Sequence, residues 1–366
     1  MNTLQRLHQE QDQSPWIDFI DRALITEGKL DQLVTDGIRG LTSNPTIFAK
    51  AVASGQYDEL VRRMHDDRVS AMDIYEEIAV ADVGDAADVL RRVYDAAEGA
   101  DGFASIEVEP HLAADTEGTV ARAKHLWSRL SRPNVFIKIP ATAEGVPAIT
   151  QVIAAGINVN VTLMFSVDVY RDVARAYIEG LRQRHARGES VDVASVASFF
   201  VSRVDTKVDP QLDALGTRSA LNARGKAAIA NAKMAYEAYR EIFEGDEFAE
   251  LRAAGARVQR CLWASTSTKN PDYRDVLYVE ELIGPATVNT MPIDTIRAFL
   301  DHGRVQRTLD AGLDEAREAI RAVEAEGIAM STVTRELIEE GVASFAKSFD
   351  DLLETIEEER KAVATA

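Results

Sequence analysis

The chain contains eight short apolar segments, separated by stretches in which the apolar residues follow a helical period. Short apolar runs of this kind are typical of buried strands. The predicted strands are residues 16–19, 38–42, 103–108, 135–139, 157–163, 195–201, 258–264 and 286–290. Helical patterns lie between most of them, for example at 116–130, 145–154 and 168–184.

The repeated alternation of strand and helix predicts the fold class. Strands joined through helices form parallel sheets, and eight such units without a glycine-rich dinucleotide turn favour a closed barrel over a doubly wound sheet. We therefore expect an α/β protein with a single (β/α)8 TIM barrel and additional helices, two of them in the segment 206–257 and others in 314–361. No repeat, low-complexity segment or linker divides the chain, so residues 1–366 are predicted to form one domain.

The predicted fourth strand carries one charged residue among apolar ones. Successive side chains of a strand point to opposite faces, so Val135, Ile137 and Ile139 share one face and Lys138 points the other way. The outer face of a barrel packs on helices. We therefore expect Lys138 to point into the barrel.

The same division of polar and apolar faces recurs in other predicted strands, which places polar groups at the carboxyl ends where barrel sites lie. The residues so placed are Asp18, Asn44, Glu107, Asn158, Asn160 and Thr162.

Each of these residues also has an ordinary structural explanation. A lone strand lysine can extend to solvent, Glu107 can be its ion-pair partner, and buried asparagines can be core amides with satisfied hydrogen bonds. Asn44 before Pro45 is a common turn signal. Together, however, several unrelated strands would bury costly polar groups at matching heights, which stability alone does not favour. The set therefore indicates a functional site.

Composition and charge narrow the classes of partner. Hydrophobic residues make up 46% and charged residues 28% of the chain, as in ordinary globular proteins. The net charge of −19 repels polyphosphates, so a nucleic acid is excluded as a partner. The longest uncharged stretch, 145–167, contains Pro147, Asn158 and Asn160, so no membrane span and no membrane partner are predicted.

The cysteine and histidine content bears on location and cofactors. The single cysteine, Cys261, cannot form an internal disulfide, and residues 1–16 lack the basic and apolar regions of a secretory signal. We therefore expect a cytoplasmic protein. The six histidines show no metal-ligand spacing, so neither a metal nor another cofactor is expected.

A buried lysine among acids suggests imine chemistry. Burial removes the hydration of an ammonium group and favours the neutral amine, which attacks carbonyl carbons. The resulting iminium withdraws electrons from the neighbouring carbon–carbon bond, so a retro-aldol step needs only a base at the substrate hydroxyl and an acid for water exchange. Asp18 and Glu107 are candidates for these two roles.

Five segments, in order and spacing, are similar to the successive signatures of the transaldolase family. They are 40–46 (GLTSNPT), 105–108 (SIEV), 136–142 (FIKIPAT), 158–166 (NVNVTLMFS) and 198–205 (SFFVSRVD). The resemblance extends from about residue 16 to 292 and is closest to a longer bacterial subgroup. It implies a (β/α)8 barrel that acts in the pentose phosphate pathway. The reaction would transfer a dihydroxyacetone unit from sedoheptulose 7-phosphate to glyceraldehyde 3-phosphate, giving erythrose 4-phosphate and fructose 6-phosphate.

The resemblance also implies roles for individual residues. Lys138 corresponds to the Schiff-base lysine, Asp18 to the aspartate that handles the proton of the cleaved hydroxyl, and Glu107 with Thr162 to the pair that activates water. The residues that correspond to the family's substrate-binding groups are Asn44, Asn160, Ser198 and, for the phosphate, Arg203. Phe200 and Glu107 resemble transaldolases, since the related fructose 6-phosphate aldolases typically have tyrosine and glutamine at these positions.

Two departures from the family pattern affect this transfer. The first strand reads Asp18-Phe19-Ile20-Asp21, so the choice of Asp18 over Asp21 depends on spacing and alternation. The second phosphate-binding arginine is missing from residues 265–269, where Ser265 is a candidate hydrogen-bond donor and Lys269 is either its replacement or a solvated loop residue.

Two other functions stay open at this point. One is an aldolase that releases dihydroxyacetone without an acceptor, and the other is a non-catalytic barrel that binds phosphorylated sugars. All three readings share sugar phosphates as the binding partner. The oligomeric state, monomer or homodimer, is not determined by these patterns.

Overall fold

Eight parallel strands form a closed barrel in the computed structural model, which describes residues 1–64 and 69–364. Each strand pairs with the next one along the chain, and the last pairs with the first. The strands are β1 (Gln13–Asp18), β2 (Leu41–Thr42), β3 (Ala104–Glu107), β4 (Val135–Pro140), β5 (Val159–Met164), β6 (Ser195–Phe200), β7 (Arg260–Ala264) and β8 (Thr287–Met291). The predicted (β/α)8 barrel is confirmed.

Helices surround the barrel. In the first half of the chain they are α1 (Thr3–Gln11), α2 (Arg22–Thr26), α3 (Lys29–Asp36), α4 (Pro45–Val52), α5 (Asp58–Arg63), α6 (Ala71–Ala96), α7 (Thr116–Leu130), α8 (Gly145–Ala154) and α9 (Val167–Ala186). In the second half they are α10 (Ser202–Leu215), α11 (Arg218–Ala223), α12 (Ala227–Phe243), α13 (Ala249–Ala253), α14 (Leu277–Glu281), α15 (Ile293–His302), α16 (Leu313–Ala325) and α17 (Met330–Ala364). Short 3-10 helices occupy Pro110–Ala114 and Asp246–Phe248.

All eight predicted strands are present, but their ends differ from the apolar segments. β1 begins three residues earlier than predicted, because Gln13 and Ser14 are buried although they are polar. β2 is only Leu41–Thr42 instead of the predicted 38–42. These errors arise because strand pairing in a closed barrel is set by neighbouring strands as well as by local polarity.

The three helices predicted with explicit bounds are present, whereas the region between β6 and β7 differs from prediction. The bounds of α7 and α8 are those predicted, and α9 is longer by one residue at its start and two at its end. The prediction of two helices in 206–257 was wrong, since this region holds most of α10 together with α11, α12 and α13. Gly216 and Gly225 adopt left-handed conformations with φ of 64° and 68°, and such residues end helices.

Asn158 lies at the opposite end of the barrel from the predicted site. It immediately precedes β5, and its amide nitrogen donates hydrogen bonds to the carbonyl oxygens of Pro133 and Val135 at 2.8 and 3.2 Å. Its carbonyl oxygen accepts a hydrogen bond from the backbone N–H of Ala194 at 2.9 Å. Asn158 is therefore a core amide that joins three strand starts, and the expectation that it faces the mouth was wrong.

The C-terminal helix α17 closes part of the barrel mouth. It packs against α4, α6 and α10 and also contacts β5. The contact with β5 is made near Leu163, which has a left-handed φ of 55° at an irregularity in the β5–β6 pairing. Within residues 1–64 and 69–364, no helix is both long enough and apolar enough to cross a membrane.

Candidate active site

A cavity of about 120 Å³ opens at the carboxyl ends of the strands. Nine of the predicted site residues line it: Asp18, Asn44, Lys138, Thr162, Ser198, Phe200, Arg203, Ser265 and Lys269. The barrel thus brings together side chains from six strands and the segments that follow them, as alternation predicted for Lys138 and its neighbours.

Lys138 lies near the end of β4 and is 96% buried. Its Nζ donates a hydrogen bond to the carbonyl oxygen of Ser43 at 2.9 Å and lies 3.2 Å from Oε2 of Glu107. Glu107 is the strand neighbour of Lys138 in the β3–β4 pairing, so the sheet register itself sets this contact. The amine therefore has a fixed position beside a carboxyl group.

Asp18 ends β1 and points into the cavity. Its Oδ1 accepts a hydrogen bond from the hydroxyl of Thr42 at 2.7 Å, and Thr42 lies 2.8 Å from the hydroxyl of Thr290. Burial raises the pKa of Asp18, while the charge of Lys138 and the Thr42 hydrogen bond oppose that rise. A raised pKa suits a carboxyl group that exchanges a proton.

Asp21, the alternative to Asp18, has a structural role. Its side chain accepts a hydrogen bond from the backbone N–H of Leu24 at 2.7 Å and so caps the start of α2. An aspartate before the first helical turn is a standard N-cap. Of the two aspartates, the structure places Asp18 in the cavity.

Glu107 lies beside Lys138 and is buried, with only 7% of the residue exposed to solvent. Burial raises its pKa, and the nearby charge of Lys138 opposes this. Its Oε2 is buried 3.2 Å from the Nζ of Lys138, whereas the Oγ1 of Thr162 is buried without a hydrogen-bond partner in the described part of the chain. Buried polar atoms normally have partners, so the Thr162 hydroxyl is available to bind water or substrate.

Asn44 and Ser198 line the cavity, whereas Asn160 lies behind Ser198. The side chain of Asn44 lines the cavity, and its Oδ1 caps α4 by accepting a hydrogen bond from the backbone N–H of Ile47 at 3.0 Å. Asn160 does not line the cavity. Its side chain is wholly buried, accepts a hydrogen bond from Ser198 at 2.7 Å and donates one to Ser105 at 3.2 Å. Asn160 therefore holds Ser198, and direct contact of Asn160 with a substrate stays a prediction.

Arg203 contributes a partly buried guanidinium to the cavity. Its guanidinium carbon lies 5.0 Å from the ring centre of Phe200 and 5.8 Å from that of Phe345. No carboxylate within the described ranges forms an ion pair with Arg203, and burial lowers its pKa although Asp18 and Glu107 oppose this. Its charge is therefore available to an anion.

The segment after β7 supplies the remaining polar groups. Ser265 has a left-handed φ of 56°, and its hydroxyl lies 2.9 Å from that of Ser202. A non-glycine residue in this conformation is strained, and such strain concentrates at functional sites. Lys269 is exposed, and its Nζ donates a hydrogen bond to the hydroxyl of Ser267 at 2.7 Å. Both Ser267 and Lys269 line the cavity, so the lysine is oriented toward it.

Sequence reasoning missed several residues of the site. Thr42 and Ser43 lie inside the segment 40–46 that carried the resemblance, so the signal was present. Thr290 ends a predicted strand, and inward-facing positions of that strand would have included it. Phe345 comes from α17, and nothing in an amphipathic helical pattern tells which apolar residue reaches a distant site.

The described ranges, 1–64 and 69–364, hold no cluster of three or more His, Cys, Asp or Glu side chains that could bind a metal ion.

A family model described as Transaldolase/Fructose-6-phosphate aldolase matches residues 15–356. The chain belongs to this family. Curated relatives named Transaldolase extend the match. "Transaldolase 2" of Streptomyces avermitilis is 50% identical and covers 95% of both chains. "Transaldolase" of Saccharopolyspora erythraea is 48% identical over 94% of both chains, and that of Trichodesmium erythraeum is 45% identical over 95% of both. The family match includes α17 as far as residue 356.

The Thr42 hydrogen bond gives a testable electrostatic prediction for this family member. Thr42→Val removes a donor to the Asp18 carboxylate and keeps the side-chain shape, so the pKa of Asp18 should rise further. The measurement is a 13C NMR titration of aspartate-labelled protein, with Asp18→Asn to assign the resonance. Thr46→Val serves as the control, since the Thr46 hydroxyl bonds Ser348 and no carboxylate. An unchanged or lowered Asp18 pKa would contradict the prediction.

Proposed function

We propose that this chain is a class I transaldolase, a transferase that moves a dihydroxyacetone unit between phosphorylated sugars through an imine on Lys138. The observation that carries the proposal is the Lys138 amine, held by the Ser43 carbonyl and 3.2 Å from Glu107 in a cavity that also contains Asp18. Membership of the transaldolase family and relatives of that name at about half identity support it.

The first half of the reaction forms the imine and breaks the carbon–carbon bond. The neutral amine of Lys138 attacks the ketose carbonyl at carbon 2, and loss of water from the adduct, with a proton supplied by the Glu107 region, leaves an iminium. Asp18 accepts the proton of the hydroxyl on carbon 4. The bond between carbons 3 and 4 then breaks, its electron pair moves into the iminium, and an aldose phosphate departs.

The second half of the reaction restores the enzyme. The three-carbon enamine on Lys138 adds through its carbon 3 to the aldehyde carbon of the acceptor, and Asp18 returns the proton to the new hydroxyl. Water then adds to the iminium and releases the ketose with a free amine. Glu107 and Thr162 suit this water step, because the Glu107 carboxyl group lies 3.2 Å from the Lys138 amine and the buried Thr162 hydroxyl has no partner in the described chain.

The mouth offers separate groups for the hydroxyls and for the phosphate. We assign Asn44 and Ser198 to the dihydroxyacetone hydroxyls, with Asn160 either in contact or acting through Ser198. We assign the phosphate to Arg203 and Lys269, with the hydroxyl of Ser265 as a neutral donor. A protein of net charge −19 needs such a local cationic pocket to attract anionic sugars.

Phe200 bears on the aldolase alternative. Its ring lies 5.3 Å from that of Phe165 and under Arg203, and it places no hydroxyl beside the water-handling oxygens. An apolar residue there disfavours rapid hydrolysis of the three-carbon imine, so the enamine persists until an acceptor arrives. This favours transfer over release.

A cytoplasmic location stays a prediction from the single cysteine, which is buried at β7.

The experiment that tests this proposal measures transfer and release separately. With fructose 6-phosphate as donor and erythrose 4-phosphate as acceptor, sedoheptulose 7-phosphate should form at a rate at least about tenfold above the release of free dihydroxyacetone without acceptor. Release that is as fast as transfer would identify an aldolase. Absence of both products from protein that binds the sugar phosphate would identify a binding protein.

The phosphate assignment predicts an effect that depends on the substrate's charge. Arg203→Ala should lower kcat/KM for fructose 6-phosphate by a factor equivalent to about 2–3 kcal/mol of transition-state binding, because an arginine forms charge-assisted bidentate bonds. Lys269→Ala should have a smaller effect, because the exposed lysine is screened by solvent. The value of kcat/KM for unphosphorylated fructose should change little in either variant. Equal losses on both donors would mean that these residues serve folding or chemistry instead of phosphate binding.

A further inference from the structure

We propose that Phe345 of the C-terminal helix α17 sets the enzyme's preference for phosphorylated sugars by holding the Arg203 guanidinium over the cavity mouth. The inference rests on the proposed function and adds to it a specificity-determining residue outside the barrel. Nothing in the sequence signatures of residues 16–292 points to it, since Phe345 lies about fifty residues beyond them.

Arg203 is held by aromatic rings instead of by carboxylates. Its guanidinium carbon is 5.0 Å from the Phe200 ring centre and 5.8 Å from that of Phe345, distances at which a ring face attracts a cation. Within the described ranges no group accepts a hydrogen bond from Arg203 and no carboxylate pairs with it. Aromatic faces attract the charge without occupying its N–H groups. The rings therefore fix the guanidinium and leave its donors available for a phosphate.

The two rings come from different parts of the fold. Phe200 ends β6 and is 93% buried, whereas Phe345 is 96% buried and belongs to α17. Both line the cavity beside Arg203. The position of the guanidinium therefore depends on how α17 docks against α10, the helix that carries Arg203.

Two contacts set that docking. Lys207, one helical turn after Arg203, pairs with Glu336 at 2.8 Å and with Glu340 at 2.5 Å on α17. Next to Glu340 stands Gly341, where a Cβ would lie 2.9 Å from Cδ2 of Leu163 and 3.6 Å from Nη1 of Arg203. A Cβ at this position would be in van der Waals contact with Arg203, so α17 lies directly against the arginine.

The acidic groups near Arg203 explain why an aromatic ring is needed to hold its guanidinium. Asp18 and Glu107 both act electrostatically on Arg203, and each is assigned a proton-transfer role. A guanidinium without the Phe345 ring would be held on one side only, and Asp18 and Glu107 would then compete with the phosphate for its charge. The ring thus holds the guanidinium at the cavity mouth, where a substrate phosphate can reach it.

The test compares variants of α17 on two donors. Phe345→Ala removes the ring, and Phe345→Leu keeps an apolar side chain but removes the π face, which protects the test against simple loss of folding. We expect kcat/KM for fructose 6-phosphate to fall about tenfold for the alanine and about threefold for the leucine, mainly through KM. The value for unphosphorylated fructose should change less than about twofold for both, because only the phosphate cation is displaced.

Phe349→Ala is the matched control. Phe349 is one turn further along α17 and equally buried, but its ring packs on Tyr75 at 5.0 Å between centroids and does not contact Arg203. Loss of the Phe349 ring should leave unchanged the ratio of kcat/KM for fructose 6-phosphate to kcat/KM for unphosphorylated fructose, which we call the donor ratio. Lys207→Gln, which breaks the α10–α17 ion pairs outside the cavity, should lower the ratio in the same direction as Phe345→Leu.

The outcomes separate this inference from the proposed function. If the wild-type protein transfers dihydroxyacetone but the Phe345 variants keep the wild-type donor ratio, the inference is wrong and the function stands. A ratio that falls equally in Phe349→Ala would also overturn it, since the effect would then come from loosening of the helix. If the wild-type protein shows no transfer, the proposed function itself is wrong.

Discussion

The buried contact between Lys138 and Glu107 is the constraint on which the rest of the site depends. Two ionisable groups 3.2 Å apart at the centre of a closed barrel are costly to bury, and the surrounding hydrogen bonds only partly offset that cost. The register of β3 and β4 fixes their separation, and the Ser43 carbonyl fixes the amine. The fold thus accepts a local loss of stability in order to place an amine beside an acid.

Around this pair, the carboxyl groups and the remaining cationic side chains occupy different regions of the site. Asp18 and Glu107 lie within the barrel, where burial raises the pKa of both carboxyl groups, as suits groups that exchange protons. The cations that suit a phosphate lie nearer the surface, on α10 and on the segment after β7. Hydroxyls such as those of Thr42, Thr162 and Ser198 fill the space between them and add no charge of their own.

Much of this arrangement could be predicted from the sequence, because two-residue alternation shows which face of a strand a side chain occupies. That argument placed Lys138 and Glu107 correctly and, with the family resemblance, also Arg203 and Ser198. It failed for Asn158, because alternation gives the face of a strand and not the height along the barrel axis. It did not anticipate Phe345, because the docking of a C-terminal helix depends on tertiary contacts such as the glycine at 341. The segmentation of 206–257 was missed for a local reason, the two left-handed glycines.

The central claim, that Lys138 is the nucleophile, is tested most directly by reductive trapping. Incubation with fructose 6-phosphate and borohydride, followed by peptide mass mapping, should give one adduct with the mass of a reduced dihydroxyacetone or hexose imine, on the peptide that contains Lys138. Lys138→Met, which keeps an unbranched apolar stem in the buried position, should fold and give no adduct. An adduct on another lysine, or an undiminished adduct in Lys138→Met, would contradict the account.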